Sequence, residues 1–238
     1  MISVTGWHWP NASSWQVKEI VGHSPPIMVP TIGSRDEIIW LPNKNGLFTI
    51  GSVWNLWRKK WPKVSWADIL WGPYNIPKAS FVVWMAILGR LNTGDRLATF
   101  GINGVSNCQF CTHNGEDHQH LFFQCPFTLR VWIVIQDKCQ VNWQNIPWSD
   151  LPQVVAADCK GKSLATIIRR LSFCSSLYHI WLERNNRIFS HERKPEDAVV
   201  KGIVSLVRYR LLAISNIKRT QTDEWFLHEW RLPASILK

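Results

Sequence analysis

Cys108, Cys111, His120 and Cys125 fall within one short stretch of the chain in the pattern C-x2-C-x8-H-x4-C. Thiolate and imidazole are the donors that borderline-soft Zn2+ prefers, and four of them complete a tetrahedral shell. The two-residue gap lets a single turn present both leading sulfurs, and the later His and Cys supply the other half. Four protein donors leave no position for water, so the implied site is structural and not hydrolytic. A chain closed on such a point has its middle third pinned before any other packing is considered.

Six cysteines would also suit a disulfide framework. The opening MISVTGWHWPNASSW, however, has neither the basic start nor the apolar core of a secretory leader. A chain of 238 residues also builds a core without staples. An intracellular setting follows, with Cys139, Cys159 and Cys174 as ordinary buried or half-buried thiols. Spacing alone leaves the fourth ligand open. His113 is close to Cys111 and reads as an exposed loop residue, while His118 would give C-x2-C-x6-H-x6-C. His120 is favoured because Asp117 resembles an N-cap that would put His120 in the first turn of a short helix. Pro126 suits the first turn of the next helix and leaves Cys125 at the junction, its sulfur turned back toward the metal.

Sixteen tryptophans are unusual. Trp54, Trp57 and Trp61 lie among Arg58, Lys59, Lys60 and Lys63, a mixture that would serve base stacking. Filling a core is the commoner use of large rings. Charge is uneven: residues 160–238 hold 15 Lys and Arg against 7 Asp and Glu, a net of +8 within the total of +10. Arg184, Arg187, Lys201 and Arg208 are the candidate phosphate contacts, although a solvated helix face carries a similar pattern. The longest apolar run, Ala79 to Gly89, is far short of the ~20 residues of a membrane helix.

The periodicity predicts a mainly α-helical protein with four stretches. Residues 1–34 form an irregular arm, and residues 35–135 a small zinc-binding domain that opens on a hairpin from Asp36 to Ile50 with its turn at Asn43–Gly46. Ser52 is expected to cap a helix carrying Val53, Leu56 and Trp57, and Phe81, Trp84, Met85 and Leu88 share a later helical face. Residues 136–162 read as a loose link. In residues 163–238, Leu164, Ile167, Ile168 and Leu171, extended by Leu177, Ile180 and Trp181, mark one helix. Pro195, Glu196 and Asp197 open a second that carries Val200, Ile203, Val204, Val207 and Leu211, which closes a helical hairpin.

Further strings join these residues. Pro77, Lys78, Phe81 and Trp84 precede Leu91, Thr93, Asp95, Arg96 and Leu97, and the Cys pair follows. Glu116, His120-Leu121-Phe122, Cys125-Pro126 and Val131-Trp132 come next. Trp40, Gly46-x-Phe48 and Ser52-Val53 lie upstream, and Ile180 to Phe189 (IWLERNNRIF) downstream. The order resembles the zinc-binding domain that follows the polymerase in plant non-LTR (LINE-type) retrotransposon reverse transcriptases. Trp54, where the family favours Tyr, and Asp117, where it favours Ser or Thr, depart from the pattern without touching a ligand. The resemblance implies Cys108, Cys111, His120 and Cys125 as ligands of one Zn2+, a nucleic-acid partner (RNA or DNA) and nuclear residence.

A polymerase needs paired carboxylates for two metal ions. No two aspartates are adjacent in this sequence, and no Gly-rich phosphate loop or Ser-His-Asp set stands out. The chain thus reads as a non-catalytic, nucleic-acid-binding module without a membrane segment. A protein partner engaged through aromatic or helical surface is the alternative, as is a retroelement relic.

Overall fold

A nine-residue helix, Trp15–His23, forms inside the opening expected to be an irregular arm, and the remaining helices follow from Ile50 onward. The computed structural model describes residues 2–3, 6–7, 14–23, 38–62, 64–102, 107–111 and 115–238. The readings placed on His113, Lys63, most of the N-terminal arm and the first two residues of the expected hairpin lie outside them.

The chain divides into two units, Met1–Trp61 and Pro62–Lys238. In the first, β1 (Ile2–Ser3) pairs antiparallel with β2 (Gly6–Trp7), followed by α1 (Trp15–His23) and α2 (Ile50–Trp57). The expected turn is present: the Trp40 N–H donates to the Gly46 carbonyl at 2.8 Å, and Gly46 takes φ +71. No strand ladder flanks it among the described residues. Thr49, and not Ser52, is the cap of α2. The Ser52 N–H donates to Thr49 Oγ1 at 3.1 Å while Ser52 Oγ accepts from the Thr49 N–H, a reciprocal capping box.

The second unit contains α3 (Ala67–Trp71), α4 (Pro77–Ile87), α5 (Gly94–Thr99), α6 (Pro126–Cys139), α7 (Leu151–Asp158), α8 (Leu164–Phe189), α9 (Glu196–Leu212) and α10 (Asp223–Glu229). A π-helical turn, His120–Gln124, precedes α6. The spine is α8, 26 residues long, against which α3, α4, α6, α7, α9 and α10 all pack. Its N-cap is Ser163, whose Oγ accepts from the Thr166 N–H at 3.3 Å. Leu164, Ile167, Ile168, Leu171, Leu177 and Ile180 are buried as their spacing predicts, and so are Ser172, Ser175 and Ser176. Helices α4 and α8 pack together, and each buries small residues. The buried face of α4 is Ala79, Ser80, Val83 and Ala86, whereas Phe81 and Leu88 are exposed and Trp84 and Met85 half-buried. The large side chains suggested the opposite face because periodicity cannot distinguish a tight small-residue contact from a solvent side.

Residues 136–162 are packed structure, not a loose link: Trp143, Leu151 and Val155 of this stretch are fully buried. Three buried indoles each find an acceptor, as buried Trp requires. Trp132 Nε1 donates to the Phe122 carbonyl at 2.7 Å, Trp143 Nε1 to Asp158 Oδ2 at 2.7 Å, and Trp230 Nε1 to the Lys138 carbonyl at 2.8 Å. Trp54, Trp57, Trp61 and Trp71 are exposed, so only part of the tryptophan set fills the core.

Gly72, just past α3, allows a close approach. A Cβ there would lie 2.5 Å from the Asp68 carbonyl oxygen and 2.8 Å from Arg170 Nη1. Gly72→Ala is therefore expected to lower stability by about 1–3 kcal/mol, read as a shift in the denaturant midpoint. An unchanged midpoint would mean that α3 moves aside without cost.

Candidate metal centre

The metal-binding side chains come from two local structures. Residues 109–111 form a turn that holds Cys108 and Cys111. Downstream, Asp117 caps the next helical turn: its Oδ1 accepts from the His120 N–H at 2.6 Å. The turn then widens to π geometry, closed by the Cys125 N–H donating to the His120 carbonyl at 2.8 Å. Cys125 is extended at φ −67 and ψ 131, and Pro126 opens α6 directly after it. The sulfur is thus delivered at a helix N-terminus, where partial positive charge favours thiolate.

The structure brings Cys108, Cys111, His120 and Cys125 together, with all four donor atoms within 4.8 Å of one another. The two buried sulfurs, Cys108 and Cys125, are 3.8 Å apart, and Cys111 Sγ is 3.3 Å from His120 Nε2. A tetrahedral Zn2+ with ordinary bond lengths has sulfur–sulfur edges of about 3.8 Å and sulfur–nitrogen edges of about 3.6 Å. The Cys3His cluster fits one structural zinc. The hydrogen bond between the sulfurs lowers the Cys108 thiol to about 4, aided by the Cys111 and Phe110 backbone and opposed by burial. That shared bond, and then burial, pushes Cys125 up. A pair holding one proton between two sulfurs is the arrangement in which a divalent cation takes the proton's place.

His118 is not part of the cluster. Its ring is buried, packs against Trp148 with centroids 5.8 Å apart, and has Nδ1 3.5 Å from Thr93 Oγ1. Burial pulls its pKa below the usual histidine range. The three remaining cysteines are also buried, and burial raises the thiols of Cys139 and Cys174 to about 12.

The four basic candidates do not share a surface. Arg184 is 2% exposed and bonds Glu116 Oε1 through Nε at 3.0 Å and Nη2 at 2.6 Å, while Glu116 itself is fully buried. Glu116 also accepts from the Gly94 N–H at 3.1 Å, which ties α8 to α5. Burial pushes the Glu116 carboxyl up and the Arg184 guanidinium pulls it back. Arg187 bonds Glu183 Oε1 at 2.9 Å, the Gln109 carbonyl at 3.2 Å and the Lys194 carbonyl at 3.0 Å. Its guanidinium also covers the stacked rings of Phe110 and Phe127. Both arginines therefore brace the metal loop and are not free for phosphates. Arg208 donates to the Trp230 and Arg231 carbonyls at 2.8 and 3.1 Å, which stabilises the end of α10. Lys201 remains exposed. The sequence hint for the bracing role was Arg187 one turn after Glu183, and nothing local pointed Arg184 to Glu116.

Residues 48–132 match the family described as zinc-binding in reverse transcriptase. The matched stretch contains the Cys3His cluster. An uncharacterized mitochondrial protein of Arabidopsis thaliana is 33% identical over 78 residues, covering 32% of this chain and 54% of that protein. The chain thus spans about half the length of this relative. No solved structure matches. Among the described residues, no helix is long and apolar enough to cross a membrane.

Proposed function

We propose that this chain is a non-catalytic module that binds nucleic acid, RNA or an RNA–DNA intermediate, with its fold closed by Cys108, Cys111, His120 and Cys125 on one Zn2+. The observation that carries this reading is the match of residues 48–132 to the zinc-binding region of reverse transcriptases. Its basic C-terminal third supports it, now through side chains that reach solvent. Lys201 and Arg231 are exposed and line one cleft between α9 and the end of α10. The same reading derives the chain from a LINE-type element of plants and gives it a nuclear place of action. Exposed Trp54 and Trp57 on α2, the latter 78% accessible, favour a second reading in which that helix engages a partner protein.

Titration of the zinc-loaded chain with single-stranded RNA and duplex DNA at several salt concentrations tests the first reading. Binding should weaken steeply with salt, and each phosphate contact removed should reduce the logarithmic slope by about 0.7–0.9. Lys201→Gln with Arg231→Gln is expected to reduce that slope by nearly two contacts and leave zinc content unchanged. If the parent binds neither nucleic acid at low salt, the protein-partner reading takes its place.

A further inference from the structure

Arg170, Arg184 and the partly buried Arg187 extend from α8, and two of the three have carboxylate partners. Arg184 has Glu116 and Arg187 has Glu183, each within 3.0 Å. Arg170, only 4% exposed, has none: among the described residues no carboxylate lies within ion-pair distance of it. Its Nη2 donates to the Pro73 carbonyl at 2.8 Å, while its Nε is buried without an acceptor. Taking a charge out of water is costly unless an opposite charge meets it, so this guanidinium lacks what the other two possess.

Its surroundings supply further positive charge. Arg170 lines a cavity of about 310 Å3 whose rim carries Lys162 and Lys218, and an adjoining one of about 580 Å3 reached by Lys160. The three lysines are exposed. Gly161, at φ +119, makes the bend between Lys160 and Lys162, and all three line the same cavity as Arg170. Gly72 leaves room for the guanidinium, because a Cβ there would lie 2.8 Å from Nη1. Asp68 is the one carboxylate lining either cavity, and it is exposed.

We propose that Arg170, with Lys162 and Lys218, forms a pocket for a phosphate group. A planar guanidinium at the floor offers directed N–H donors to tetrahedral oxygens, and flexible ammonium groups at the rim neutralise what remains of the charge. Burial, the largest influence on Arg170, disfavours its charged form, and the Asp68 carboxylate opposes it. An arriving phosphate supplies the missing counter-charge. The phosphate is either free in solution or carried on the end of a nucleic-acid strand. The pocket stands independently of the nucleic-acid reading above.

The test uses the full zinc-loaded chain, melted in sodium phosphate and in sodium chloride at equal ionic strength. Phosphate is expected to give a saturable rise in melting temperature of a few degrees that chloride does not reproduce. Arg170→Met should abolish the rise. Because that substitution alters buried packing, Lys162→Gln with Lys218→Gln serves as a second variant. It changes only exposed side chains and should weaken phosphate affinity at least tenfold while keeping zinc and the melting temperature in chloride. Competition by a 5′-phosphorylated oligonucleotide, but not by its 5′-hydroxyl counterpart, would assign the pocket to strand ends. Competition by neither would assign it to free phosphate, with the pocket upheld in both cases. Equal melting of the parent in phosphate and chloride, or an unweakened response in the lysine double variant, overturns the proposal. A normal phosphate response in a chain that binds no oligonucleotide at low salt counts against the nucleic-acid reading alone.

Discussion

Cys125→Ser is expected to yield a chain without stoichiometric zinc and without a folded centre. Cys125 sits where the π-helical turn passes into α6, and the adjoining Leu121, Phe122, Val131 and Trp132 are all fully buried. Structural zinc contributes on the order of 10–16 kcal/mol of apparent binding energy in small fingers. Whole domains are stable by only about 5–15 kcal/mol, so losing one donor outweighs most other single changes. Metal analysis and near-ultraviolet circular dichroism would read the loss together, because Trp132 and Trp143 pack edge to face at 6.0 Å in this core. Cys108→Ser and Cys111→Ser should behave alike. Cys139→Ser, Cys159→Ser and Cys174→Ser should keep one zinc, since those thiols are buried outside the cluster. His120→Ala should release the metal. His118→Ala should retain it while loosening the packing around Trp148. Full metal in the Cys125 variant would remove that residue from the ligand set.

The second large effect concerns the ion pair beneath the metal loop. Among the described residues, Arg184→Met leaves the buried Glu116 carboxylate with only the Gly94 N–H to meet it, a change of the kind that costs about 3–5 kcal/mol. Glu116→Gln keeps an acceptor for Gly94 while removing the charge. The double variant should therefore be more stable than Arg184→Met alone, as a denaturant midpoint shift at constant slope would show. The sign of the pH dependence follows from the carboxyl. Without its guanidinium, Glu116 is held further above its unfolded value, so the folded chain takes up protons more readily than the unfolded one. The Arg184→Met deficit is then fully present at pH 8 and shrinks as pH falls toward the carboxylate range. If the double variant is no more stable than the single, the pair carries no coupling worth the name.

The metal loop was the most legible part of the chain because its donors are close in sequence and their chemistry admits few substitutes. Asp117 as cap and Pro126 as the start of α6 could be read for the same reason: both rules act within one helical turn. The stripes of α8 and α9 were legible as well, being long and strongly periodic. What escaped was set across the fold. Arg184 reaches Glu116 over 68 positions and Arg187 reaches Gln109 over 78, so neither could be told from a solvated basic residue by its neighbours. Trp143 gave no periodic signal in a Pro-containing stretch, yet it ends fully buried with two hydrogen bonds. The inverted reading of α4 has another cause, since its buried face carries the smaller side chains and its bulkier ones lie outside.

The ties from α8 to the metal loop bear on how such a segment can be exchanged between proteins. A recombination breakpoint placed after Trp132, where the family match ends, would separate Glu116 from Arg184 and strip Arg187 from the rings of Phe110 and Phe127. The graft would inherit a metal knuckle with a stranded buried charge and an uncovered aromatic pair. Chimeras that retain the stretch through Phe189 carry their own counterions with them. The heritable cassette in this chain is therefore longer than its metal motif, and its downstream edge is set by an electrostatic debt and not by the last ligand.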